Sequence, residues 1–197
     1  LALIALLAIR RFWQIGVASD ADMLIGVYRT FELDQALAAG AFYPRIMPGL
    51  NFSYGGPLFQ YYPPLTAYLT LFFHWLGLPW IEANKALFTA ALLLGGWGVY
   101  GYARFLFDKR AAALLAGAGY ILSPYVLLNI YERGALSETF ALALVPFLLW
   151  AGHRYLRQAD RLSWAATAAL LALLMLSHNI TALFALPFLA IFLLAMA

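Results

Sequence analysis

The sequence predicts an all-α fold, a polytopic transmembrane helix bundle with a long polar first loop. Hydrophobic residues make up 65% of the 197 residues and only 11% are charged, whereas soluble domains carry about 25% charged residues. The mean hydropathy is +0.82. Charged residues occur in clusters separated by apolar stretches. These stretches are predicted to be helices, because lipid offers no hydrogen-bond partner to an unpaired backbone group.

The apolar stretches indicate where the membrane spans lie. Stretches without Asp, Glu, Lys or Arg run between Lys85 and Arg104, between Arg110 and Glu132, between Glu138 and Arg154, and from Arg161 to the last residue. Crossing the hydrocarbon takes about 20 residues, and the third stretch is the shortest. We therefore expect helices at 84–107, 111–130, 136–156 and 162–197, with the last helix broken near Pro187.

The first third of the chain is more polar and is organised differently. Residues 22–39 follow an amphipathic helical pattern, with Ser19 and Asp20 as N-caps and Gly40 as the stop signal. The next segment holds five of the nine prolines and a pair of glycines, which predicts an ordered, turn-rich loop. A helix at 64–78 then leads into the spans.

The chain is interpreted as one transmembrane domain over 1–197, with a loop at 10–63, a short helix at 64–78 and spans at 84–197. It opens inside the apolar run 1–9 and stops inside another, so we expect an N-terminal fragment of a longer protein. The absence of cysteine excludes disulfides and cysteine metal sites. Nucleotide-binding and hydrolase motifs are absent, and no basic patch suits a nucleic acid.

The charges of the loops predict the orientation. The loops at 104–110 and 153–161 each carry three Lys or Arg against one Asp, which places both in the cytoplasm and 132–138 outside. The segment 64–78 has 15 residues, short for a span, and is predicted to be a juxtamembrane or re-entrant helix. The loop at 10–63 is then extracytoplasmic. Full crossing by 64–78 would place that loop in the cytoplasm instead.

Two clusters of charged residues can carry chemistry. Asp20 and Asp22 begin the helix of the loop and can bind a divalent cation such as Mg²⁺ or Mn²⁺, or one of them can act as a general base. Helix capping and compensation of the helix dipole is the alternative. Glu132, Arg133 and Glu138 lie between two spans, where arginine suits a phosphate group. A mutual salt bridge is the alternative for this cluster.

A third cluster is His178 with Asn179, inside an apolar run and toward the outer end of its helix. Polar residues at such depth usually face a cavity, although a lone histidine is often only a packing residue. Arg29 and Arg45 complete the basic content of the first loop, and they either bind a lipid-linked phosphate or extend to lipid head groups. Tyr62, one of the aromatic residues of this loop, is a further candidate for substrate binding.

Several segments, taken in order, resemble one family over essentially the whole chain. They are SDAD followed by Arg29, AFYPRIMPGLNFSYGGPLFQYYPPLTAYL, YERGALSE and LSHN. The chain resembles the bacterial integral-membrane family labelled 6-pyruvoyl-tetrahydropterin synthase-related, and more broadly it is similar to GT-C type membrane glycosyltransferases. The label implies no pterin chemistry here, since nothing in the chain resembles the soluble zinc site of that enzyme.

The resemblance implies a GT-C-like bundle whose first extracytoplasmic loop carries a catalytic acid and juxtamembrane helices. It also implies a polyprenyl-phosphate sugar as donor, with Asp20 or Asp22 as the general base or metal ligand. The resulting hypothesis is a multi-pass protein of the bacterial inner membrane that transfers a sugar to an extracytoplasmic acceptor. In this hypothesis Arg133 or Arg45 neutralises the donor phosphate. The remaining candidates on the cavity wall are His178 and Glu132.

The competing class is a non-catalytic membrane protein, either a transport or export subunit or a structural component of a membrane complex. A transporter would depend most on the intramembrane His178 and Asn179, whereas an enzyme would depend on the acids Asp20 and Asp22. The lipid bilayer is a partner in both cases, and no nucleic acid is expected.

Overall fold

The computed structural model describes residues 1–17 and 21–196, and only the backbone of residue 21. Within these residues the chain is built of helices, apart from one isolated β-bridge between Met47 and Gly56. The helices are α1 (Ala2–Gln14), α2 (Ala21–Ala38), the single turns α3 (Leu50–Ser53) and α4 (Leu58–Tyr61), α5 (Leu65–Trp75), α6 (Trp80–Phe107), α7 (Arg110–Ile121), α8 (Pro124–Leu128), a π-helical turn (Asn129–Arg133), α9 (Leu136–Gln158), α10 (Arg161–Ser177) and α11 (Asn179–Met196).

Four of the described segments are long and apolar enough to cross a membrane. They are α6, the run Arg110–Arg133 that joins α7, α8 and the π-helical turn, α9, and α11. Helix α10 is also apolar but has only 17 residues. The prediction of an all-helical protein is therefore confirmed for the described residues, and four of its apolar segments are candidate membrane spans.

Glycines let the central helix α6 approach its two neighbours closely. A Cβ atom on Gly95 would lie 2.2 Å from the ring of Tyr120 on α7, and one on Gly98 would lie 2.6 Å from the ring of Phe147 on α9. Small residues at helix contacts are the usual means by which membrane helices gain close van der Waals packing. Helix α6 thus fixes the positions of both neighbouring spans.

Two predicted helices are interrupted at positions that the sequence did not indicate. The helix expected at 111–130 ends at Ile121 and restarts at Pro124, because proline has no N–H to continue the ladder but fits the first turn of a helix. The break expected near Pro187 is wrong. It falls at His178, whose backbone is extended (φ −156°, ψ 108°), and Pro187 lies inside α11.

Residues 21–75 form a separate layer, which we call the cap, at one end of the bundle. Its core consists of the buried side chains Leu33, Met47, Phe59 and Leu71. Helix α2 ends as predicted, since Gly40 has φ +88° and its N–H bonds to the Leu37 carbonyl.

The short helix α5 contacts this end of the bundle through both its first turn and its last turn. The hydroxyl of Thr66 lies 2.8 Å from that of Ser137 at the start of α9, and His74 stacks on Trp80 at the start of α6. With 11 residues, α5 is about half as long as a span requires. The cap therefore rests on the ends of α6 and α9.

The first prediction concerns the packing of α6. Gly95→Ala should lower the free energy of unfolding by about 1–3 kcal/mol, because the new methyl group meets the ring of Tyr120. Gly119→Ala is the matched control, since nothing lies within 4 Å of a Cβ there and alanine favours a helix. Thermal unfolding in lipid nanodiscs measures both. Equal stability of the two variants would contradict the close α6–α7 contact.

Candidate functional site

A cavity of about 250 Å³ lies between the cap and the bundle. Helix α2 lines it with Asp22, Gly26, Arg29 and Thr30, whose spacing of four, seven and eight residues from Asp22 places them on one helical face. The bundle contributes the residues 133–138 and the junction between α10 and α11. The cavity thus joins segments that are far apart in the sequence.

Helix α5 adds a polar stripe that the sequence analysis missed. Thr66 and Thr70 line the cavity together with Pro63 and Ala67, again at helical spacing. Both threonine side chains are buried, and the hydroxyl of Thr70 has no hydrogen-bond partner. Two threonines four residues apart in an otherwise apolar helix were the available sequence signal.

The cap packs closely against the bundle at Gly134. Its φ is +63°, a conformation that favours glycine. A Cβ atom at this position would lie 2.7 Å from Cβ and 2.9 Å from the backbone N of Met23 on α2. The backbone of α2 can therefore touch the turn after Arg133 only because residue 134 has no side chain. This contact brings Asp22, one residue earlier, to the cavity wall.

Arg133 and Glu138 form a hydrogen-bonded ion pair on the cavity wall. Nη1 of Arg133 donates to Oε2 of Glu138 at 2.9 Å and to Oδ1 of Asn129 at 2.7 Å. The other carboxylate oxygen of Glu138 accepts hydrogen bonds from the Tyr125 hydroxyl and from Asn129 Nδ2. The π-helical turn and the glycine turn that follows it bring these residues together. The salt bridge considered from the sequence does form, and Glu138 is the partner.

Arg29 is a second cation on the same cavity, and its surroundings differ. Its guanidinium lies over the ring of Tyr62, with 3.9 Å between Cζ and the ring centroid. Its Nε is buried and has no hydrogen-bond partner. Burial lowers the pKa of the Arg29 guanidinium, and the nearby Tyr62 and Asp22 act in the opposite direction. Arginine nevertheless stays charged in proteins, so the cavity keeps this positive charge.

His178 sits at the junction of α10 and α11 and caps α11. Its Nδ1 accepts a hydrogen bond from the backbone N–H of Thr181 at 3.3 Å and lies 2.7 Å from the Thr181 hydroxyl. With Nδ1 acting as an acceptor, a neutral imidazole carries its proton on Nε2. Because His178 also lines the cavity, Nε2 is the nitrogen left to meet a ligand.

A larger, apolar groove of about 690 Å³ adjoins the polar cavity. It runs between α9 and α11 and is lined mainly by Leu142, Val145, Leu148, Leu149, Phe184, Phe188 and Leu189. Arg133, Glu138 and His178 line both the cavity and the groove. Their polar groups therefore stand at the junction between a polar space and an apolar one.

Six of the residues singled out in the sequence meet in this cavity: Asp22, Arg29, Tyr62, Arg133, Glu138 and His178. Three others lie elsewhere. Arg45 and Glu132 are exposed and do not line the cavity, and the exposed Asn179 donates through Nδ2 to the Tyr61 carbonyl at 3.3 Å. Glu138 thus takes the place beside His178 that was expected for Glu132. Asp20 lies outside the described residues.

The expected cation site involves Asp20 and Asp22, so only half of it is described. Within 1–17 and 21–196 no group of three or more His, Asp or Glu side chains gathers as a metal ion would require. Binding of Mg²⁺ or Mn²⁺ by this pair stays a prediction.

The fold and the cavity define a helical protein with four candidate membrane spans and a polar cavity under a cap. Residues 59–197 match the family model described as 6-pyruvoyl-tetrahydropterin synthase related domain, membrane protein. This covers more than half of the chain, which therefore belongs to that family.

One relative comes from Lactococcus lactis subsp. cremoris (strain MG1363) and is described as an uncharacterized protein. It is 24% identical over 195 residues, which cover 97% of this chain and 32% of the relative. The chain thus spans about a third of the length of that protein. No solved structure matches the chain.

The second prediction tests the packing contact between the cap and Gly134. Gly134→Ala should cost about 2–4 kcal/mol, because it combines an unfavourable φ with a clash against the Met23 backbone. Gly40→Ala is the control with a positive φ but no atom within 4 Å of a Cβ, and it should cost about 1 kcal/mol. Unfolding midpoints and limited proteolysis of the cap measure the difference. Equal losses would show that the close contact with α2 is unimportant.

Proposed function

We propose that this protein is a GT-C-like membrane glycosyltransferase that moves a sugar from a polyprenyl-phosphate donor to an extracytoplasmic acceptor. The observation that supports this most is the junction of a charged cavity with an apolar groove. A lipid-linked sugar phosphate has the same division, with a polar head and an apolar chain. Arg133 stands where the phosphate of such a ligand would lie.

The groove suits the chain of the donor. Its walls are leucines, a valine and phenylalanines from two helices that are each long enough to span a membrane. Lipid tails are as apolar as these side chains, so a polyprenyl chain can replace bilayer lipid in this groove at little cost. A soluble sugar nucleotide would leave this groove unused.

Asp22 is the better candidate for the general base among the described acids. Glu138 already accepts hydrogen bonds from Arg133, Tyr125 and Asn129, which hold it as a carboxylate and use about three of its four acceptor sites. Asp22 is exposed on the cavity wall. A base within hydrogen-bond reach of the acceptor hydroxyl is what the reaction requires. Asp20 keeps its role as a candidate from the sequence.

The transfer can be written with these groups. The acceptor oxygen attacks the anomeric carbon of the sugar while Asp22 takes its proton, and the bond from that carbon to the phosphate oxygen breaks. The electron pair leaves with the polyprenyl phosphate, whose growing negative charge Arg133 stabilises. The Nε2–H of His178 lies on the same wall and can donate to the sugar or to the phosphate.

The distribution of charge supports an outer location for the cavity. The loops with Arg104 and Arg154 lie at the opposite end of the bundle, where each arginine pairs with a nearby aspartate, Asp108 and Asp160. Basic loops face the cytoplasm by the positive-inside tendency. The cap and its cavity then face outward in the bacterial inner membrane, with a multi-pass topology.

The third prediction tests this orientation. The chain has no cysteine, so single cysteines can be placed and labelled without background. A membrane-impermeant maleimide should label Phe52→Cys, which is fully exposed in the cap, on intact spheroplasts. It should label Lys109→Cys, at the other end, only after permeabilisation. Labelling of both positions from the same side would rule out the proposed topology.

The fourth prediction tests catalysis in the full-length protein. Asp22→Asn should lower sugar transfer from a panel of polyprenyl-phosphate sugars by about 10²–10⁴-fold, because it removes the base. Asp34→Asn is the control on the same helix. Its side chain accepts a hydrogen bond from Trp75, which an amide oxygen can also accept, so activity should stay close to wild type.

Sugar transfer is measured by mass spectrometry of the glycan product formed in isolated membranes. Undiminished product from a folded Asp22→Asn protein would remove Asp22 from the mechanism. Absence of any covalent product from wild type, together with a requirement for His178 in export, would favour the transport alternative.

A further inference from the structure

The two arginines of the cavity are not equivalent. The charge of Arg133 is already paired with Glu138, and its Nη1 also donates to Asn129. Arg29 forms no ion pair, within 4.0 Å, with any carboxylate of the described residues. Its Nε is buried without an acceptor, and an unsatisfied buried donor carries a free-energy cost. A ligand with acceptor oxygens would remove that cost.

Thr70 supplies a second unsatisfied group on the same cavity. All seven threonines of the chain lie in the described residues, and the other six have hydrogen bonds through their side chains. Four of these six donate to the carbonyl four residues earlier in their own helix. Thr70 is 0% exposed, and its hydroxyl makes no hydrogen bond at all. This hydroxyl thus lines the cavity with its hydrogen-bonding capacity unused.

The surroundings of these groups favour an anion with several oxygens. A planar guanidinium held over the face of Tyr62 has a fixed plane, and such arginines bind phosphate oxygens two at a time. A hydroxyl can donate to a third oxygen. Gly26, between Asp22 and Arg29 on the face of α2, also lines this part of the cavity.

We propose that Arg29 and Thr70 form an anion-binding subsite that holds a phosphoryl group from the cap side of the cavity, while Arg133 faces the same group from the bundle. The subsite extends the proposed function. It rests on that proposal in one respect only, namely that the bound phosphate belongs to the sugar donor. Tyr62 is a positioning residue, because it orients the guanidinium. The same chemistry would also hold a free phosphate or a phosphorylated soluble compound.

The fifth prediction measures binding in the full-length protein, without any transfer reaction. Affinity for polyprenyl phosphate is measured in nanodiscs, and affinity for inorganic phosphate is measured in detergent. Arg29→Gln should weaken binding about tenfold or more, and Thr70→Val about fivefold. If only polyprenyl phosphate binds, the phosphoryl group recognised by the site belongs to a lipid. If both ligands bind, the site also accepts soluble phosphate.

Thermal stability separates a binding role from a structural one. Thr70→Val keeps the shape and removes a buried hydroxyl without a partner, so the variant should be as stable as wild type or more stable while it binds phosphate less well. Thr167→Val is the control. Its hydroxyl bonds to the Ser163 carbonyl and it does not line the cavity, so phosphate affinity should be unchanged.

The outcomes distinguish this subsite from the proposed enzyme. Phosphate affinity that is unchanged in both Arg29→Gln and Thr70→Val, or a Thr70→Val variant that loses stability and keeps its affinity, overturns the subsite whatever the activity. Weakened binding in both variants supports the subsite, even where Asp22→Asn still forms product and the enzymatic proposal fails.

Discussion

The contact between Met23 and Gly134 is the constraint on which the site depends. The backbone of α2 rests on a turn that has a positive φ and no side chain, with room for no additional carbon atom. This contact fixes the rotation of α2, so that the face carrying Asp22 and Arg29 turns toward the bundle. It also places those residues opposite Arg133 and Glu138. A larger residue at 134 would separate the two halves of the cavity, although every charged group would still be present.

The electrostatics of the cavity follow from which charges are paired. The Glu138 carboxylate is surrounded by donors from Arg133, Asn129 and Tyr125, which offsets the cost of placing charge at the end of two spans. The ion pair of Arg133 and Glu138 forms a polar part of the wall of the apolar groove. Arg29 and Thr70 lie on the cap side and keep unsatisfied donors. The cavity therefore combines a hydrogen-bonded ion pair with a region whose donors have no partner, and this combination supports the proposed anion-binding subsite.

Much of the fold could be predicted from local pattern. Charge-free stretches located the candidate spans, since lipid excludes unpaired charge, and Gly40 marked the end of α2. Local rules failed where tertiary context competes with them. Pro187 is accommodated inside α11, whereas the chain breaks at His178, whose ring caps the next helix. Thr66 and Thr70 were overlooked because threonine in a helix usually bonds to its own backbone, and only the packed structure shows that Thr70 does not.

The sequence by itself determined the class of protein, the approximate positions of its long apolar segments, and a set of charged and aromatic candidates. These properties depend on composition and short-range periodicity. Only the tertiary structure decided which candidates meet. Asp22, Tyr62, Arg133 and His178 lie on four different segments and converge, whereas Arg45 and Glu132, equally plausible by residue type, point to other surfaces. That selection depends on helix rotation and on close packing at Gly134, which result from contacts between distant segments.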